Sequence, residues 1–150
     1  MSNPVYKALE KAPLGSQLTL VEALSNLTFN DAGLIPAIAQ QHDTGEVLMM
    51  AWMNRQAIEE TLTTGRVCYW SRSRNNYWRK GESSGNQQIL KGLFSDCDGD
   101  TLLVKVDQTG AACHTGRRDC FYNELNAQGL SISSAPIQDP NQLYSSKKSN

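Results

Sequence analysis

At 150 residues the chain suffices for one domain that buries most of its apolar surface and falls short of two of ordinary size. Its 39% of hydrophobic residues and net charge of -1 set it apart from disordered chains, and the near-neutral charge speaks against a nucleic-acid binder. No apolar run spans a bilayer, and the first 17 residues, MSNPVYKALEKAPLGSQ, have neither the apolar core of a secretory signal nor the arginine-rich character of a transit peptide.

A cytoplasmic protein that engages no membrane is therefore expected. Thiols stay reduced there, so the four cysteines Cys68, Cys97, Cys113 and Cys120 read as ligands, nucleophiles or buried apolar residues rather than as two disulfides.

Residues 1–15, with Pro4, Pro13 and Gly15, read as loop. From Ser16, apolar residues at helical spacing in LTLVEALSNL predict a short helix with a serine cap. The apolar run LIPAIAQ at 34–40 follows a break at 30–33, and Pro36 confines it to a sheet edge or a strand start. HDTG predicts a hairpin turn, and EVLMMAW at 46–52 a buried strand. Asn54 caps a helix RQAIEETLTT that ends where Gly65 supplies a left-handed residue.

Residues 66–71, RVCYWS, favour a strand, and 72–86 form a polar loop with short extended pieces. Residues 88–94 and 101–106 predict two strands joined by DCDGD, where Gly99 permits a tight turn. After Gly110, ACHTGRRDCFYNEL is a glycine-broken loop returning into a strand. Beyond Leu130 the composition turns to Ser, Pro, Gln, Asn and Lys, and a mobile or loosely docked tail is expected. Short strands with one or two helices make a compact α+β domain that is predominantly β. Residues 1–30 form a lead-in, 31–125 the working domain, and 126–150 a strand remnant and tail.

The segment 95–120, SDCDGDTLLVKVDQTGAACHTGRRDC, interleaves hard and soft ligands. Asp96, Asp98 and Asp100 suit magnesium or calcium, whereas Cys97, Cys113 and Cys120 suit zinc, so two different cations could bind here. An extended backbone would place the carboxylates on one face and Cys97 on the other. A helix-loop-helix calcium site is excluded, because Thr101 stands where that loop needs glycine and TLLVKV continues as a strand. Taken alone, DCDGD is as readily an acidic solvated turn.

No C-x-x-C pair is present, so a zinc ribbon or finger is excluded. Three thiolates around zinc leave one open position, where a bound water ionises near pH ~7. For any single cysteine, a small buried hydrophobe is the competing reading. Cys68, between Val67 and Tyr69 in a strand, is assigned to the core.

His114 can carry protons, support a ligand or touch substrate; His42, in a turn, is assigned to the surface. Residues 66–80 hold Arg66, Arg72, Arg74, Arg79 and Lys80 without an acid, interleaved with Trp70, Tyr77 and Trp78. They form either a solvated loop or a phosphate site, with Arg72, Arg74 and Lys80 on the phosphate and an aromatic face for a base.

With these residues laid out, the chain resembles the phosphoribosyl-AMP cyclohydrolase family of histidine biosynthesis. GLIPAIAQ, TGEVLMMAWMN, YWSRSR, WRKGESSGN, DCDGD and ACHTG followed by CF stand in the family's order and spacing, from 33 to 121. It departs at Trp52, where tyrosine is common, and at Asp119, where serine is usual beside the last cysteine.

The resemblance implies a barrel-like, β-rich fold and a homodimer. Zinc would be held by Cys97 of one subunit with Cys113 and Cys120 of the other, and magnesium by Asp96, Asp98 and Asp100. It also implies a reaction in which water opens the purine ring of N1-(5-phosphoribosyl)-AMP between N1 and C6, at a ring made electron-poor by substitution at N1. His114 is the expected proton carrier, and Arg72, Arg74 and Lys80 the expected phosphate contacts. Two competitors are a different zinc-dependent purine hydrolase and a non-catalytic nucleic-acid-binding module. Against the first, this chain lacks the H-x-E and P-C-x-x-C of nucleobase deaminases, and the second is disfavoured by charge.

Overall fold

The computed structural model describes residues 3–143; residues 1–2 and 144–150, including the end of the expected tail, lie outside the described residues. The chain begins with a helix where a loop is expected. In α1 (Pro4–Leu9) the side chain of Asn3 accepts from Val5 N, and Pro4 sits at the first position, where its missing N–H costs nothing. Tyr6 is buried and its hydroxyl donates to Ala23 O at 3.0 Å.

The second helix, α2 (Leu20–Ser25), starts later than expected. Thr19 and Glu22 form a reciprocal capping box, whereas the Ser16 hydroxyl turns back to Pro13 O. The third, α3 (Arg55–Thr64), matches its sequence signals: Asn54 accepts from Ala57 N at 2.8 Å, and Gly65 closes it at φ 77. Asn54 also donates to the Tyr77 hydroxyl at 3.1 Å. Asn54→Ala removes both contacts and is expected to cost about 1–2 kcal/mol, read as a lower urea midpoint at unchanged slope.

Six strands form one curled, half-barrel sheet: β1 (Ile35–Gln41), β2 (Val47–Met53), β3 (Cys68–Ser71), β4 (Asn76–Arg79), β5 (Gln88–Ser95) and β6 (Leu102–Gln108). Their order is β4-β3-β2-β1-β6-β5. Neighbours are antiparallel except β1 and β6, which run parallel with Ala37 opposite Leu102. Pro36 is tolerated inside this sheet because it is the second residue of β1, before the pairing with β6 begins. The β-rich α+β expectation holds, with α1, α2 and α3 among the described residues where one or two helices are expected.

Alternate residues of β1 (Ile35, Ala37, Ala39) join Leu48, Met53, Ile58, Val67, Val104 and Val106 in the core. Cys68 lies there too, 0% exposed; its N–H donates to Thr61 Oγ1 at 3.0 Å, and its thiol pKa is pushed up to about 12, chiefly by burial. That thiol is structural, inert packing.

A separate hairpin, β7 (Asn123–Asn126) with β8 (Gly129–Ile132), is exposed along its length. The chain then returns across the loop that carries Cys113. Ile137 N and Gln138 N donate to Gly116 O, Arg117 Nε donates to Ser134 O, and Gln138 Oε1 accepts from Ala111 N at 2.9 Å and Asn86 Nδ2 at 2.9 Å. Residues 134–138 are thus tied down despite their polar composition.

Candidate active site

The carboxylates of Asp96, Asp98 and Asp100 converge, with ligand oxygens within 4.8 Å of one another. The cause is not an extended strand: residues 97–100 curl as a turn. Asp96 organises it, since one carboxylate oxygen accepts from Asp100 N at 3.0 Å and Thr101 N at 3.2 Å, while Asp96 N donates to Thr101 O. Local side-chain to backbone bonds of this kind outcompete an extended backbone.

Gly99 adopts φ 71 and packs against the ring of Tyr6, and Thr28 N donates to Gly99 O at 2.8 Å. The N-terminal segment therefore buttresses the aspartate turn. Crowding shows in the titration. Asp100 is raised, first by its hydrogen bond with Asp96 and then by burial; Asp96 is lowered overall because its hydrogen bonds outweigh partial burial. Three crowded carboxylates are a hard-oxygen set that a small divalent cation would relieve, and they fit magnesium.

Cys97 is exposed on this turn and does not join the other two candidate zinc ligands within the chain. Cys113 and Cys120, by contrast, are near enough that the Cys120 thiol feels the charge of Cys113. Turn bonds at 113–118 and the Cys120 N–H donated to Leu48 O at 2.8 Å bring the second back beside the first. Cys113 is buried and its sulfur accepts from the Thr115 hydroxyl at 3.1 Å. The Cys120 thiol is pushed up to about 12, first by burial and then by Cys113; Asp119 adds to the rise. Two sulfur atoms set side by side, one of them a thiol that burial makes reluctant to ionise, are what a soft cation would convert into ligands. The pair fits zinc and is short of a full ligand set within one copy.

Lys80 is not beside Arg72 and Arg74. It follows β4, at the opposite end of the hairpin from the turn that carries those arginines, and is 8% exposed. Its ammonium donates to Ala112 O and lies 5.1 Å from the Trp78 ring centroid. Burial pulls its pKa below the usual lysine value, and Cys120 and Cys113 pull the other way.

On the sheet, Met50, Ala51, Trp52, Trp70, Ser71, Arg72, Ser73 and Trp78 line an open cleft of about 610 Å³. That size is within the roughly 300–1,000 Å³ of small-molecule sites. Arg72 stacks 4.8 Å over the Trp52 ring. Arg74 is exposed at the turn, held to Ser71 Oγ, whereas Arg79 is committed to Glu60 by two bonds of 2.8 and 2.9 Å. His114 is exposed, next to Cys113.

Residues that sequence reasoning passed over hold this site together. Arg118 donates from Nη1 to Gln108 O and Gly110 O, and from Nη2 to Gln41 Oε1, and it pairs with Glu46 at 3.2 Å. Gln88 is fully buried, accepting from the Tyr69 hydroxyl at 2.7 Å and donating to Gln108 Oε1 at 2.8 Å. Their partners lie up to 77 residues away, so no local pattern marks them.

Comparison with known proteins identifies the family. Residues 49–122 match the family model described as phosphoribosyl-AMP cyclohydrolase. The phosphoribosyl-AMP cyclohydrolase of Alcanivorax borkumensis is 69% identical over 140 residues, covering 93% of this chain and 99% of the relative. Those of Alkalilimnicola ehrlichii (64%, covering 93% and 99%) and Chromohalobacter salexigens (63%, covering 93% and 95%) are similarly near. At such identity along nearly the whole of each chain, the protein belongs to the phosphoribosyl-AMP cyclohydrolase family.

Proposed function

We propose that this protein is a hydrolase, the phosphoribosyl-AMP cyclohydrolase of L-histidine biosynthesis, acting in the cytoplasm as a homodimer. It adds water to C6 of N1-(5-phosphoribosyl)-AMP and breaks the N1–C6 bond, giving the formimino-aminoimidazole carboxamide ribotide. Water oxygen stays on C6 as the carboxamide oxygen, and the ring nitrogen released at N1 takes up a proton. The observation that carries the reading is the pairing of Cys113 with Cys120 while Cys97 stands exposed on the aspartate turn. One copy has two soft ligands together and offers the third outward, which suits a zinc site completed by Cys97 of the partner subunit.

Zinc bound there would supply Lewis acidity for the attack of water at neutral pH. Magnesium would sit at Asp96, Asp98 and Asp100, offsetting substrate phosphate charge. The chain's own groups do the rest. The tryptophan cleft offers flat faces to the purine, and Arg72 at its rim, with Arg74 beside it, holds a phosphate. His114, exposed beside Cys113, carries the proton between water and N1.

The test is an assay of the purified protein with zinc and magnesium on phosphoribosyl-AMP, AMP and adenosine. The expected result is a product heavier by one water from phosphoribosyl-AMP alone, with no ammonia. Ammonia from AMP or adenosine without ring opening would overturn the assignment in favour of a deaminase.

A further inference from the structure

A buried ammonium is costly unless several groups satisfy it. Lys80 meets a carbonyl, an aromatic face and the fields of two sulfur atoms. An ammonium committed in this way is poorly placed to bind a phosphate. The Ala112 carbonyl it holds is one residue before Cys113, so the bond fixes the backbone from which that thiol projects.

Charge points the same way. Three thiolates on a divalent cation leave one net negative charge, and Lys80 carries one positive charge at the pair formed by Cys113 and Cys120. We propose that Lys80 is a positioning residue of the zinc site, fixing the Cys113 backbone through Ala112 and offsetting the excess charge of the thiolates. The inference rests on the zinc reading of those cysteines.

It makes opposite demands on the two states of the protein. Without metal the buried ammonium has only the Ala112 carbonyl and the Trp78 face against it, so a neutral side chain of similar length packs there as well or better. With metal the same substitution removes the compensating charge. The test measures the zinc Kd of the purified full chain by competition with a chromogenic chelator. It also measures the melting temperature without and with zinc, and the thiolate-to-metal absorption band of the cobalt(II) form.

In Lys80→Met the zinc Kd is expected to weaken by about 10–100-fold, as for groups that support metal ligands. The metal-free melting temperature should stay equal or rise, the gain on adding zinc should shrink, and the cobalt band should shift. Lys80→Arg, which keeps the charge, should recover most of the affinity. If Lys80→Met does not fold, Lys80→Gln, which keeps an N–H for Ala112, carries the same measurement. Wild-type affinity and an unmoved cobalt band in the folded neutral variant would overturn this inference and leave the zinc reading standing. Wild-type protein that binds no zinc would overturn both.

Discussion

Cys113→Ser is expected to lose zinc and activity together, with the activity falling by more than the roughly 100-fold that follows loss of a group supporting a metal ligand. Cys113 is buried and accepts from the Thr115 hydroxyl, and a serine is no larger than the cysteine it replaces, so it still fits its space. The fold should survive, because the core thiol is Cys68 and not Cys113. Metal content by elemental analysis and turnover of phosphoribosyl-AMP in the same preparation check this. Full activity in zinc-free Cys113→Ser protein would refute the proposed metal chemistry. Cys68→Ser is the matched control, which should cost stability through lost packing and leave the zinc content at wild type.

Gly116→Ala is expected to be among the most damaging single-methyl additions. Gly116 has φ 85, and an added Cβ would overlap the Gln138 carbonyl oxygen and crowd Pro140. Two penalties combine: left-handed strain of about 1–3 kcal/mol and separation of the returning tail from the Cys113 loop. A fall in melting temperature of roughly 5–10 °C follows from the size of the chain. Gly65→Ala is the informative comparison. Gly65 is equally left-handed at φ 77, but nothing lies within 4 Å of its added Cβ, so strain of about 1–2 kcal/mol acts alone. Equal melting temperatures for the two variants would show that the tail contributes nothing to holding the loop.

The parts of this molecule that were legible in its sequence are those whose causes are local. Asn54 and Gly65 bracket α3 because a cap and a left-handed stop act within a few residues. The HDTG turn likewise expresses a short-range rule. Pro4 misled in the other direction: proline marks a loop in isolation, but behind the cap of Asn3 it opens a helix.

The aspartates are a subtler case. Their convergence was expected from strand alternation and arises instead from a turn wound around the Asp96 carboxylate. Lys80 was not legible as a buried residue, because a basic run looks solvated until the Ala112 carbonyl, 32 residues away, is known to lie against it. Gln138 is similar: an amide in a polar tail acquires its role only when Asn86, 52 residues earlier, faces it.

The parallel pairing of β1 with β6 has a kinetic side. Residues such as Gln41 and Asp107 meet across a separation of 66 positions, and closing so long a stretch of chain costs entropy before any contact repays it. The aspartate turn joins β5 to β6 and closes on local bonds around Asp96, whereas the thiol loop after β6 reaches back to Leu48 and shares in that long closure. The two ligand sets thus differ in origin: the aspartates are gathered by a few neighbouring residues, and the thiols only by chain closure across some seventy positions.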